Sequence, residues 1–203
     1  MQLHADHAGD GHRALSLYDR DLAAVPGWVW ERTALESLNL SQNRITAVPE
    51  RVGDLTRLRM LDLGHNRLRE LPAALGRLGR LEYLYVGRNP LRGLPVGVLA
   101  GLPGLRHLSL AGAGLDALPT AIGGLTGLLE LSLRGNALTS LPESMRDLAA
   151  LRSLDLRSNG LVALPGWLAQ LPALERLDLR WNRLEAADPV AAALAGRGCR
   201  VLL

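Results

Sequence analysis

The chain has 203 residues, 48% of them hydrophobic, enough for a sizeable core. Its formal net charge is +3, too small for wholesale phosphate binding unless the basic groups are concentrated on one face. One cysteine, Cys199, excludes an intrachain disulfide framework and fits a reducing compartment, and no apolar run reaches the length of a membrane-spanning helix.

From the N-terminus, "MQLHADHAGDGHR" is polar and lacks the apolar h-region of a secretory signal peptide, so residues 1–11 read as a tail. A degenerate repeat starts at His12, with Leu15, Leu17, Leu22, Val25 and Pro26 in register. Trp30 in this copy is expected to cover the N-terminal end of the core, because a terminal repeat faces water on one side. The unit L-x-x-L-x-L-x-x-N-x-L-x-x-L-P then begins at Leu35, Leu58, Leu81, Leu105, Leu128, Leu151 and Leu174, at intervals of 23 residues except for 24 between Leu81 and Leu105. The L-x-L alternation predicts a short strand in each copy, with its leucines on one sheet face and the intervening residues on the other. Proline follows the second leucine block (Pro49, Pro72, Pro95, Pro119, Pro142, Pro165) and fixes φ where the chain leaves the sheet.

Asn43, Asn66, Asn89, Asn136, Asn159 and Asn182 are expected to stack as a ladder whose amides satisfy turn backbone groups. In "LSLAGAGLDALP" that rung is Ala113, between Gly112 and Gly114. An unpaired buried backbone group costs about 1–3 kcal/mol, so a softer seam is expected in mid-chain. The tail Cys199-Arg-Val-Leu-Leu203 reads as a closing strand. A single copy cannot bury its own apolar face, whereas stacked copies share one core, so residues 12–203 read as one domain of eight repeats.

The repeat resembles the 23-residue leucine-rich repeat of Ras-suppressor-like, plant intracellular Ras-group and bacterial proteins, over roughly residues 12–195. That resemblance implies an α/β fold, a right-handed horseshoe solenoid with a concave parallel sheet and short helical or 3₁₀ turns on the convex side. Basic residues that are all arginine, with much Gly and Ala, add a bacterial, GC-rich coding sequence to the expectation.

Each strand leaves three side chains on the concave face, at the third, fifth and seventh places of the copy. Met60, Tyr83 and His107 then fall in one row, and Asp62, Tyr85 and Ser109 in the next, beside a shelf of Gly64, Gly87 and Ala111. Large rigid rings with polar tips bordering a hollow suit a protein-recognition patch. Further along, Arg134, Arg157 and Arg180 form a column next to Asp155 and Asp178, with Trp181 at the rim. This is either a solvated salt-bridge ladder or a basic stripe that orients an acidic partner segment. Arg13, Glu36, Arg59, Glu82, Arg106, Arg152 and Glu175 line the rim with mostly alternating sign and read as solubilising charge.

No catalytic constellation emerges. The chain has no lysine and hence no phosphate loop of the P-loop type. His4-Ala-Asp6-His7 with His12 is a weak metal candidate, and Cys199 reads as a small buried hydrophobe. The expectation is a monomeric, cytoplasmic, non-enzymatic module without cofactor or metal, gripping a protein or peptide with acidic and apolar groups through Met60, Asp62, Tyr83, Tyr85, His107, Arg134, Arg157, Arg180 and Trp181. Nucleic acid is disfavoured by the interleaved aspartates, and no membrane insertion is expected. The alternative is the substrate-recognition part of a larger bacterial effector, for example of ubiquitin-ligase type, delivered into a host cell.

Overall fold

The computed structural model describes residues 13–185 and 188–203. The tail at 1–11, the repeat start at His12 and the His4-Ala-Asp6-His7 group lie outside the described residues. Among the described residues nine three-residue strands form one parallel sheet in sequence order: β1 (Ala14–Ser16), β2 (Ser37–Asn39), β3 (Met60–Asp62), β4 (Tyr83–Tyr85), β5 (His107–Ser109), β6 (Glu130–Ser132), β7 (Ser153–Asp155), β8 (Arg176–Asp178) and β9 (Arg200–Leu202). Each strand from β2 to β8 is the middle of an L-x-x-L-x-L motif, and its central leucine faces inward. The register is continuous: Leu15, Leu38, Leu61, Leu84, Leu108, Leu131, Leu154, Leu177 and Val201 stack across successive strands. From Leu38 to Leu177 this row is buried, and at roughly 1.5–3 kcal/mol per fully buried leucine it holds the solenoid together. The closing strand expected at 199–203 is β9, with Cys199 buried just before it.

Opposite the sheet, six copies close through 3₁₀ turns at Gly27–Glu31, Glu50–Asp54, Ala73–Arg77, Thr120–Gly124, Glu143–Asp147 and Gly166–Gln170, each entered through its proline. The 24-residue copy differs. Its extra residue lies between Pro95 and Leu102 and widens the turn into one of α-helix, α1 (Val96–Ala100). Its neighbour must be glycine, since a Cβ on Gly101 would sit 2.0 Å from the carbonyl oxygen of Gly76. The second helix, α2 (Pro189–Gly196), is capped by Asp188, whose carboxylate accepts from the amides of Val190 and Ala191 and from Leu164 of the previous copy. Trp30 is buried at the N-terminal end, as the sequence predicts.

The asparagine ladder is present. Asn66 Nδ2 donates to the carbonyls of Leu63 (3.0 Å), Gly64 (3.2 Å) and Leu40 in the preceding copy (3.0 Å), while its Oδ1 accepts from Ile45 N–H at 2.9 Å. At the missing rung the main chain substitutes for the side chain. The Leu91 N–H, which an asparagine at 113 would take, reaches the carbonyls of Asn89 (2.9 Å) and Ala113 (3.0 Å), and Ala113 N–H donates to Leu110 O. Gly112 and Gly114, at φ +63° and +79°, give the corner its shape. No backbone group there is orphaned by the loss of the amide, so the physical basis for a softer seam disappears. Amide exchange across residues 105–120 is expected to be as slow as in the flanking copies. Selective fast exchange at 111–115 in a mass-spectrometric or NMR exchange experiment would show instead that the glycine pair opens as a hinge.

Candidate functional site

The parallel register delivers the outward rows that the repeat predicts. The third-place row runs Ala14, Ser37, Met60, Tyr83, His107, Glu130, Ser153, Arg176 and Arg200, and Asp62, Tyr85 and Ser109 are neighbours in the fifth. Direct pairing of Tyr83 with His107 stacks their rings, with centroids 4.5 Å apart and planes 9° from parallel. His107 Nδ1 in turn lies 3.3 Å from Glu130 Oε2. Tyr85 is half-buried, and burial, reinforced by Tyr83, Asp62 and Glu130, pushes its hydroxyl above the usual phenol range, so it stays a neutral donor.

Beyond the rings the face sinks into a hollow of about 350 Å³. Tyr85, His107 and Glu130 stand on one side and Arg157, Arg176 and Asp178 on the other, with Ser109, Ser132 and Ser153 between them. Small side chains on three adjacent strands make the depression. The sequence reading gave Glu130, Ser132, Ser153 and Arg176 no role, although their adjacent outward places were the available signal. The expected shelf of Gly64, Gly87 and Ala111 is not an open recess: Gly87 is buried, and a Cβ there would lie 2.5 Å from Ala111 O. That glycine serves backbone packing.

The acidic fifth place has a local cause as well. Asp62, Asp155 and Asp178 each accept through Oδ1 from the backbone N–H two residues on, closing the strand exit as Asx turns. In the C-terminal copies the same carboxylates hold arginines. Arg157 forks onto Asp155 (Nε–Oδ1 2.9 Å, Nη2–Oδ2 2.6 Å), and Arg180 forks onto Asp178 (2.9 and 2.7 Å). Arg157 and Arg176 approach Asp178 from neighbouring positions, at 3.5 and 3.8 Å. Asp178 is only 1% exposed. Burial alone acts to raise its carboxyl, but the hydrogen bonds from Arg180 and the charge of Arg157 outweigh it and hold it below the usual range. Two of the three arginines in the expected stripe are therefore committed to their own strands. Arg134 follows Ser132 rather than an aspartate, is exposed, and has no carboxylate partner among the described residues.

Trp181 lies outside the hollow at the exit corner, 64% exposed, with the Arg180 guanidinium 5.3 Å from its ring centroid. Its φ is +61°, and the matching residues Gln42, His65, Arg88 and Ser158 are also left-handed. The corner imposes that conformation; a bulky aromatic is the residue type least suited to it. Cys199 is buried, and burial raises its thiol, which leaves it unreactive. Among the described residues no cluster of three or more His, Cys, Asp or Glu could hold a metal ion, and no helix is long and apolar enough to cross a membrane.

Family models described as "Leucine rich repeat" and "Leucine Rich repeats (2 copies)" match residues 115–161 and 33–75. Among solved structures, a leucine-rich repeat protein of Leptospira interrogans aligns with TM-score 0.79 and 32% identity, over 85% of this chain and 50% of its own. The leucine-rich repeat ectodomain of the Arabidopsis thaliana membrane receptor kinase GASSHO1/SCHENGEN3, solved with CASPARIAN STRIP INTEGRITY FACTOR 2, aligns with TM-score 0.67 and 30% identity, over 79% of this chain and 20% of its own. A TLR13–ssRNA13 complex gives 0.69 and 32%, over 75% and 22%. The chain thus spans half or less of the length of each of these structures. No curated protein gives a match.

Two outcomes follow from this geometry. Asp178→Asn leaves three arginines around a neutral group and is expected to destabilise the protein by roughly 2–3 kcal/mol at neutral pH, read by denaturant unfolding. Because the folded carboxyl titrates below its unfolded value, its stabilisation is complete above roughly pH 5 and is lost progressively as pH falls through the unfolded and then the folded value. The wild type should consequently lose more stability than Asp178→Asn between about pH 5 and 2.5, and equal acid sensitivity would exclude this role. Trp181→Asn, by contrast, exchanges an exposed cation–π contact for a residue that tolerates left-handed φ; stability should stay within about 0.5 kcal/mol. A larger loss would mean that the indole is part of the fold.

Proposed function

The chain is a leucine-rich repeat protein, and from that premise we propose that it is a non-enzymatic module that binds a protein or peptide on its concave sheet. The observation that carries this reading is the stacked Tyr83–His107 pair beside Tyr85, at the edge of the serine-floored hollow. None of these side chains is needed to bury the leucine core, which lies on the opposite face of every strand. Rings held by stacking lose little freedom on binding, which suits them as anchors. Met60 extends the apolar surface next to Tyr83, and Arg134 offers a guanidinium to an acidic group. Trp181 adds a second apolar contact at the corner.

The similar structures were solved with two kinds of ligand, CASPARIAN STRIP INTEGRITY FACTOR 2 for the Arabidopsis receptor kinase and ssRNA13 for TLR13. For the present chain the concave face favours protein. Asp155 and Asp178 already occupy Arg157 and Arg180, and Asp62 and Glu130 add negative charge to the face, which disfavours a phosphate backbone. The reading as the recognition part of a larger protein draws support from the length of the Leptospira relative, of which this chain spans half.

Replacing Tyr83→Ala together with Tyr85→Ala is expected to weaken partner binding by about 2 kcal/mol or more, roughly 30-fold in Kd. The unfolding midpoint should move little, because the core is untouched. The partner is obtained by capture from source-cell lysate with wild type against the double variant, and the affinity difference is then measured with the purified components. Unchanged affinity in the folded double variant would refute the assignment.

A further inference from the structure

The residue just before each strand forms a second surface, at the strand-entry edge and apart from the concave hollow. Across the first four copies Arg13 pairs with Glu36 and Arg59 with Glu82, both at 2.7 Å, so the alternating charges expected along this rim do neutralise one another. Two arginines outside that alternation change the balance. Arg57 and Arg80 lie two residues upstream of Arg59 and Glu82, line the same edge, and have no side-chain partner among the described residues. Arg106 completes the group, with one nitrogen on the Gly127 carbonyl at 2.9 Å and its other donors free of carboxylates.

These side chains border an open, shallow hollow of about 540 Å³. Five arginines against two glutamates leave an excess of three positive charges, equal to the formal net charge of the entire chain, +3. The rest of the molecule therefore sums to zero, and the surplus is gathered on one edge of adjacent copies. Solubility alone would be served by spreading it. We infer that this edge binds an acidic polypeptide segment, carboxylate by carboxylate, through Arg57, Arg80 and Arg106.

The chemistry favours a peptide over a nucleic acid. Guanidinium forks match single carboxylates bidentately, whereas single-stranded nucleic acid also needs aromatic platforms for its bases. The lining of this hollow contains no aromatic residue on which a base could stack. Neighbouring parallel strands are about 4.8 Å apart, a spacing an extended acidic segment can follow from copy to copy.

The test uses a fluorescein-labelled decapeptide of glutamate, titrated with the full chain by anisotropy in roughly 0.05 M salt. Binding that weakens with added salt is expected, and Arg57→Glu with Arg80→Glu should reduce it at least about tenfold. The same change in net charge at two exposed arginines elsewhere, Arg69→Glu with Arg183→Glu, should keep affinity within about threefold. Circular dichroism melts confirm that both variants fold. The inference is overturned if oligoglutamate does not bind, if the Arg57/Arg80 variant binds as wild type does, or if both charge reversals weaken binding equally. It is also overturned if a uridine decamer binds more tightly than oligoglutamate through the same two arginines.

Discussion

The asparagine at six of the strand-exit corners is the contact that sets the register of the copies it joins. Its amide nitrogen holds carbonyls of its own corner and of the copy before, and its oxygen takes an N–H from that previous copy. Aspartate has no donor to supply and glutamine is a methylene too long, so neither can take over both halves of the asparagine's bonding. Leucine burial provides most of the energy, but it is non-directional and would tolerate small displacements between copies. The directed amide bonds remove that tolerance and set one copy against the next. Tyr83 meets His107 ring to ring across the junction where the main-chain bonds of Leu91 and Ala113 stand in for the amide.

This division explains what could be read from the sequence. Strand positions, register, the buried leucine row and the asparagine ladder all follow from one period, so Leu35 through Leu174 were sufficient to place them. What depends on local departure from the period was not legible. The extra residue after Pro95 was visible as a 24-residue interval, yet not its consequence, a helical turn pressed against Gly76. Ala113 looked like an uncompensated loss because side-chain bonds can be counted in a sequence, whereas the main-chain bonds that replace them depend on the φ angles of Gly112 and Gly114.

The candidate site divides along the same line. Which residues face outward was fixed by alternation, and Met60, Tyr83, Tyr85 and His107 do share one face. How their neighbours pair was not fixed by it. Asp155 and Asp178 occupy the place that the strand exit reserves for an Asx turn, and their second oxygens then capture Arg157 and Arg180. A row of three arginines in the sequence becomes two structural ion pairs and one available cation, Arg134. Arg57 and Arg80 escaped notice for a different reason: they precede the repeat motif, in a stretch where spacing says nothing about direction.

Left-handed backbone shows why function must be read from departures within a repeat and not from strain itself. Gln42, His65, Arg88, Ser158 and Trp181 all carry positive φ immediately before a ladder asparagine, as Gly135 does. The conformation is the geometric consequence of pointing that asparagine inward, so its cost is spread over the solenoid and marks no particular copy as special. What distinguishes a copy is the side chain placed on the shared backbone. Glutamine, serine and glycine suit the corner; an indole 64% exposed to solvent does not, and its stacking on Arg180 is too weak a contact to account for the choice. The same comparison applied to the third and fifth places singles out Tyr83 and Tyr85 among smaller or polar residues, and applied to the entry edge it singles out Arg57 and Arg80, whose places in later copies hold Gly104 and Gly127. In each case the backbone is common property of the repeats, and the information lies in the residue that a neighbouring copy does without.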